Sequence, residues 1–205
     1  MNHFKRFTLP FWLLILLALL IPAPAGSYTL QPTSCRELLT NGGFEAGPVG
    51  WTQASAGGYD LISQFNPRSG HWGAYLAGAN DADDRLSQPL ALPADAISVT
   101  LRLWWSLESE ELPVPADTLT LSLVEPNGAT LVELWRVDNT AALGVWDEAV
   151  FDLTAYAGQN VIVRLRALSD SFDLTDFYLD DISATACTPA VELRRTLLPL
   201  IVRQR

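Results

Sequence analysis

The stretch Ile97-Ser98-Val99-Thr100-Leu101-Arg102-Leu103-Trp104-Trp105-Ser106-Leu107 decides the fold class. Its apolar residues Ile97, Val99, Leu101, Leu103, Trp105 and Leu107 fall at every second position, with Thr100, Arg102 and Trp104 between them. A period of two belongs to a β-strand with one buried face, whereas an amphipathic helix repeats at three and four. Working outward, Leu119, Leu121 and Leu123 repeat the pattern with Thr118, Thr120 and Ser122 between. Val161, Val163, Leu165 and Ala167 do so with Arg164 and Arg166 on the other face. Further strands are predicted over 58–65, 72–78, 85–92, 129–137, 147–153 and 177–186, and Pro126-Asn127-Gly128 reads as a hairpin turn. Only 153–157 offers even a single helical turn. Many short strands about 8–12 residues apart predict an all-β chain, a two-sheet antiparallel jelly-roll sandwich.

The first 25 residues belong to something else. Lys5 and Arg6 precede an apolar block, and Ala23-Pro24-Ala25 follows it. A basic start, a short apolar middle and small residues at alternating positions predict a cleavable signal peptide over 1–25. The apolar centre from Phe11 to Ile21 would make only about 16 Å of helix, against about 30 Å of hydrocarbon. The expected organisation is therefore a signal peptide (1–25), a sandwich domain (35–187) and a C-terminal tail (188–205), secreted or at the cell surface, with no membrane span in the mature chain.

Charge narrows the function classes. Without Lys5 and Arg6 the chain keeps 11 basic residues, all arginine, against 23 acidic ones, a formal charge of −12. A nucleic-acid ligand needs a basic stripe, so that class is excluded. His71 is the one histidine beyond residue 3, and two cysteines cannot build a four-thiolate zinc site. In an exported chain two cysteines default to one bridge, here Cys35 to Cys187. Closing about 150 residues is worth roughly 5 kcal/mol on the loop-entropy model.

More specific motifs lie near the ends. The domain opens with Leu38-Leu39-Thr40-Asn41-Gly42-Gly43-Phe44-Glu45, then Gly47 and Trp51, and closes with Asp176-Phe177-Tyr178-Leu179-Asp180-Asp181-Ile182-Ser183. Between them lie Ser69-Gly70-His71-Trp72-Gly73 and Trp146 followed by Phe151-Asp152-Leu153-Thr154. Together these resemble extracellular jelly-roll modules of the MAM and carbohydrate-binding (galactose-binding-like) type, above all the accessory domains of secreted metallopeptidases of the immune-inhibitor A kind. The resemblance implies a jelly roll with a structural Ca²⁺ and a recognition role. It also implies Glu45 and Asp180 as the calcium ligands. With Ile182 taken as core, Asp180 lies two residues back on the same, inward face, where a carboxylate needs a cation or several donors. Carbonyls near 68–70 would complete the shell. The alternative is that Glu45 and Asp180 are solvated strand-end charges.

Enzyme chemistry finds little support. The chain has no G-x-S-x-G elbow, H-E-x-x-H or phosphate-binding loop. His71 is expected to be a partly buried imidazole. Glu108, Glu110, Glu111 and Asp117 are the acidic candidates for a secreted hydrolase, but Pro113 and Pro115 make that stretch read as a solvated loop. The stretch 80–84 reads as another surface turn.

Recognition has better material. Trp104 alternates out of the core beside Arg102, and a neighbouring strand carrying Arg164 and Arg166 would complete a face of one indole and three guanidiniums. Such a face suits a glycan or an extracellular protein. If the arginines only pair with acids and loops cover Trp104, there is no site. A structural surface protein attached through the tail, Val191 to Arg203, is the alternative function.

Overall fold

The computed structural model describes residues 33–190. The predicted signal peptide and the tail beyond residue 190 lie outside them. The described residues form eleven strands: β1 Thr33–Glu37, β2 Thr52–Ser55, β3 Ile62–Ser63, β4 Gly73–Ala77, β5 Asp83–Ala91, β6 Ser98–Ser109, β7 Thr118–Val124, β8 Thr130–Asp138, β9 Asp147–Asp152, β10 Asn160–Leu168 and β11 Thr175–Pro189. One 3-10 turn, Thr154–Tyr156, follows β9. The first sheet runs β3-β4-β11-β6-β9, with β1 also paired to β11; the second runs β2-β5-β10-β7-β8. Every pairing is antiparallel. This is the two-sheet jelly-roll sandwich that the alternation predicts.

The core lies between the sheets. Val99, Leu101, Leu103 and Leu107 of β6 are fully buried, as are Leu119, Leu121 and Leu123 of β7 and Val163, Leu165 and Ala167 of β10. Each leucine so buried contributes roughly 2 kcal/mol of transfer free energy. Trp105 closes one side of the core edge-on to Trp135, with centroids 5.1 Å apart. Ile97 departs from the expected core series: it precedes β6 and is exposed, its N–H donating to the Cys187 carbonyl. Pro126-Asn127-Gly128 turns β7 into β8, with Gly128 at φ +95°.

Two strands had no readable pattern. β1 is exposed at all five residues, so no alternation betrays it. It is held by pairing with the second half of β11, where Cys35 and Cys187 stand directly opposite and form a disulfide. β2 has only four residues.

A β-bulge reverses one expected orientation. On β11 the core residues are Phe177, Leu179, Ile182, Ala184 and Ala186, so the inward step from Leu179 to Ile182 is three residues instead of two. The register with β6 slips between Asp180 and Ser183, and Asp181 takes φ +47°. A bulge inserts one residue and shifts the phase of what precedes it. Asp180 therefore stands on the outer face with Asp176 and Tyr178, not on the core face with Ile182. Beside the bulge, the Ile182 N–H donates to the Gly42 carbonyl (2.9 Å), and a Cβ on Gly42 would overlap the Ile182 carbonyl.

Candidate functional site

The loop at 66–72 is the hub of the first sheet's outer face. Asp180 is fully buried beneath it, and its carboxylate accepts from the N–H groups of Arg68 (3.0 Å), Ser69 (3.0 Å) and Asp181 (2.7 Å). Burial pushes the Asp180 carboxyl up to about 6, against the lowering pull of those three donors. Glu45 grips the same loop one turn on, with Oε1 accepting from the His71 (2.9 Å) and Trp72 (3.0 Å) N–H groups. Those two bonds, Trp72 first, hold its carboxyl below the ordinary glutamate range. A Cβ on Gly70 would overlap the Glu45 carboxylate, so glycine forms the cradle. The sequence expectation of a cation or several donors is met here by donors. A hard cation still fits the chemistry, because two carboxylates from different segments meet this one loop and one of them retains a desolvation cost after three hydrogen bonds. His71 itself is exposed, contrary to expectation.

The composite indole and guanidinium face does not form. Trp104 and Arg102 lie on β6, whose neighbours are β11 and β9, while Arg164 and Arg166 lie on β10 in the other sheet. Sheet membership is set by long-range pairing, which alternation within a strand does not encode. Trp104 is also covered: the Arg68 guanidinium lies 3.6 Å from its ring centroid and is ion-paired with Asp181. Arg102 pairs with Glu148 across to β9 (3.3 Å).

Arg164 and Arg166 instead belong to a polar face of the second sheet. Register places Thr52, Ser87, Arg164, Ser122 and Glu133 in one row across the five strands, and Ala54, Arg85, Arg166, Thr120 and Arg136 in the next. Arg164, Ser122 and Glu133 of the first row and Arg85, Arg166, Thr120 and Arg136 of the second line a groove of about 290 Å³. Asp83 bridges Arg166 and Arg85, and Glu133 pairs with Arg136. Among the described residues Arg164 makes no ion pair.

A further cavity was missed by sequence reasoning. It has a volume of about 410 Å³, and Tyr59, Phe65 and Tyr75 wall it with Asp60 and Asp84 at its margin. Tyr59 and Phe65 are 60% and 57% exposed. Phe65 leans on Tyr75 (5.3 Å between centroids), and Tyr75 stacks on Tyr178 (5.5 Å). Loss of water and the bond to Asp176 (2.8 Å) raise the Tyr75 hydroxyl, which remains protonated as a donor. Asp84 is 1% exposed; Oδ2 accepts from the Ala77 N–H (2.9 Å), and Oδ1 has no donor. Aromatic walls with one unsatisfied buried acceptor are the makings of a binding pocket. The sequence clue lay in three rings spaced irregularly through 59–75, which no strand period groups together.

A third group is acidic. Glu111, Asp117 and Asp170 bring ligand oxygens within 4.8 Å of one another and could hold a metal ion.

No family model and no curated protein matches this chain. Solved structures do. The carbohydrate-binding module TmCBM61, solved in complex with β-1,4-galactotriose, aligns over 73% of this chain and 97% of its own, at 17% identity and a TM-score of 0.55. The K3 cleaved adhesin domain of Lys-gingipain from Porphyromonas gingivalis W83 aligns over 73% of this chain and 98% of its own, at 17% identity and a TM-score of 0.50. The chain shares their fold. No helix among the described residues is long and apolar enough to cross a membrane.

Proposed function

We propose that this chain is a secreted, non-catalytic glycan-binding module whose ligand enters the cavity between Tyr59, Phe65 and Tyr75. The observation that carries this reading is the pairing of open aromatic rings with the unsatisfied Asp84 Oδ1. A sugar offers both complements: C–H faces for the rings and hydroxyl donors for the carboxylate. A volume of about 410 Å³ suits one or two sugar rings. The shared fold supports the reading, since one neighbour was solved in complex with β-1,4-galactotriose. The motif resemblance to accessory domains of secreted metallopeptidases supports an ancillary role, and the Cys35–Cys187 bridge supports export.

In this reading Glu45 and Asp180 would hold a structural Ca²⁺ at the 66–72 loop, where it would neutralise the buried Asp180 and stiffen the loop next to Phe65. A glycan-array screen of the oxidised chain in calcium buffer tests the function. A specific hit that Asp84→Asn weakens supports it, and a blank array moves the weight to a structural surface protein held by its tail.

One observation favours a second site. The unpaired Arg164, flanked by Ser87 and Ser122, suits the carboxylate or sulfate of an acidic glycan. Acidic ligands on the array that depend on Arg164 would favour this face.

A further inference from the structure

The loop that joins β6 to β7 and the loop that joins β10 to β11 meet at three carboxylates. Glu111 and Asp117 come from the first and Asp170 from the second, with oxygens within 4.8 Å. Asp117 is 0% exposed. Its Oδ1 accepts from the Asp170 N–H (2.8 Å), while Oδ2 is buried with no donor, as is Glu111 Oε1. Two buried carboxylate oxygens left without donors are expensive, and like charges this close raise the cost. Among the described residues none of the three makes an ion pair. Loss of water, then the charges of Asp170, Asp117 and Asp173, push the Glu111 carboxyl up.

We infer that Glu111, Asp117 and Asp170 form a calcium site that clamps these two loops together. The donors are all carboxylate oxygen, with no histidine or thiolate, which selects a hard cation over zinc or copper. Irregular loops suit the six to eight flexible oxygen contacts of calcium better than the strict octahedron of magnesium. The clamp reaches further, because the β10–β11 loop also holds the 79–82 turn: Asp81 N–H donates to the Asp170 carbonyl (2.6 Å), and Ser169 Oγ donates to the Ala79 carbonyl (2.6 Å). That turn adjoins Gly78 and Asp84 at the cavity margin. The site is separate from Glu45 and Asp180.

The test is calorimetric titration of Ca²⁺ into the chelator-treated full chain, with Glu111→Gln, Asp170→Asn and Glu45→Gln variants. Asp170 is exposed, so its substitution tests the site without threatening the core. Glu111→Gln and Asp170→Asn are each expected to weaken one calcium equivalent about tenfold or more, by loss of ligand charge, while Glu45→Gln leaves that equivalent intact. A second readout is a sign reversal: Asp170→Asn should raise the melting temperature in chelator, by relieving repulsion, and lower it relative to wild type in calcium. Calcium binding indifferent to both variants, no calcium binding at all, or magnesium bound as tightly as calcium would each overturn the assignment.

Discussion

Trp104 and Asp180 stand directly opposite each other on β6 and β11, and Arg68 joins them. Its backbone N–H donates to the Asp180 carboxylate, and its guanidinium lies over the Trp104 ring. The tryptophan that the sequence offers as a ligand platform is therefore the floor under a loop. Asp181 holds Arg68 from the other side, so the bulge and the loop fix each other.

Trp104→Ala should consequently act on stability and not on recognition. Removing a half-buried indole stacked under a guanidinium is expected to cost about 2–3 kcal/mol. Urea denaturation would show that loss, with glycan affinity unchanged within about twofold once the protein is folded. Abolished binding by a fully folded variant would return Trp104 to the site.

Gly42→Ala places a methyl group onto the Ile182 carbonyl, which is backbone and cannot step aside without opening the bulge. The expected cost is about 3 kcal/mol. A thermal melt within a degree or two of wild type would show that the bulge is softer than described.

Reduction of Cys35–Cys187, or Cys35→Ser with Cys187→Ser, removes a link between residues 152 apart in sequence. The loop-entropy model puts its worth at about 5 kcal/mol. Because β1 is exposed along its length and clings to the sheet only through β11, it should also be the first strand to exchange its amides. Hydrogen exchange with and without reductant measures both effects. Equal protection of β1 in the two states would contradict this.

Asp83 sets an acid limit on the arginine face. Hydrogen bonds from Arg166, then Arg85, hold its carboxyl below the ordinary range. A lowered folded value stabilises fully above the unfolded value near 3.9 and loses that stabilisation as pH falls through the folded value. The pairs are partly exposed, so the amount is at most about 1 kcal/mol. Asp83→Asn should lower stability at neutral pH by that amount and leave stability in strong acid unchanged. Denaturant melts at both pH values check the sign.

Much of the fold was legible because burial leaves a period. Val99, Leu101, Leu103 and Leu107 announce β6, and Leu119, Leu121 and Leu123 announce β7. What the period could not carry was lost. An exposed strand such as β1 has no apolar alternation, and the phase of β11 depends on a positive φ at Asp181 that an aspartate does not advertise. Arg164 and Arg102 were grouped because both alternate outward, but which strand neighbours which is decided by pairings between distant segments. Glu111 and Asp117 read as solvated charges beside two prolines, yet folding buries Asp117 completely. Tyr59, Phe65 and Asp84 converge only in three dimensions.

The most direct measurement is calorimetric titration of neutral and acidic oligosaccharides, β-1,4-galactotriose first, against wild type, Phe65→Ala and Arg164→Ala. Phe65 is more than half exposed, so its removal should spare the fold. The account expects wild type and Arg164→Ala to bind a neutral sugar alike and Phe65→Ala to bind it about tenfold or more weakly, as loss of an aromatic anchor does. Neutral-sugar binding that survives Phe65→Ala and disappears with Arg164→Ala would contradict it.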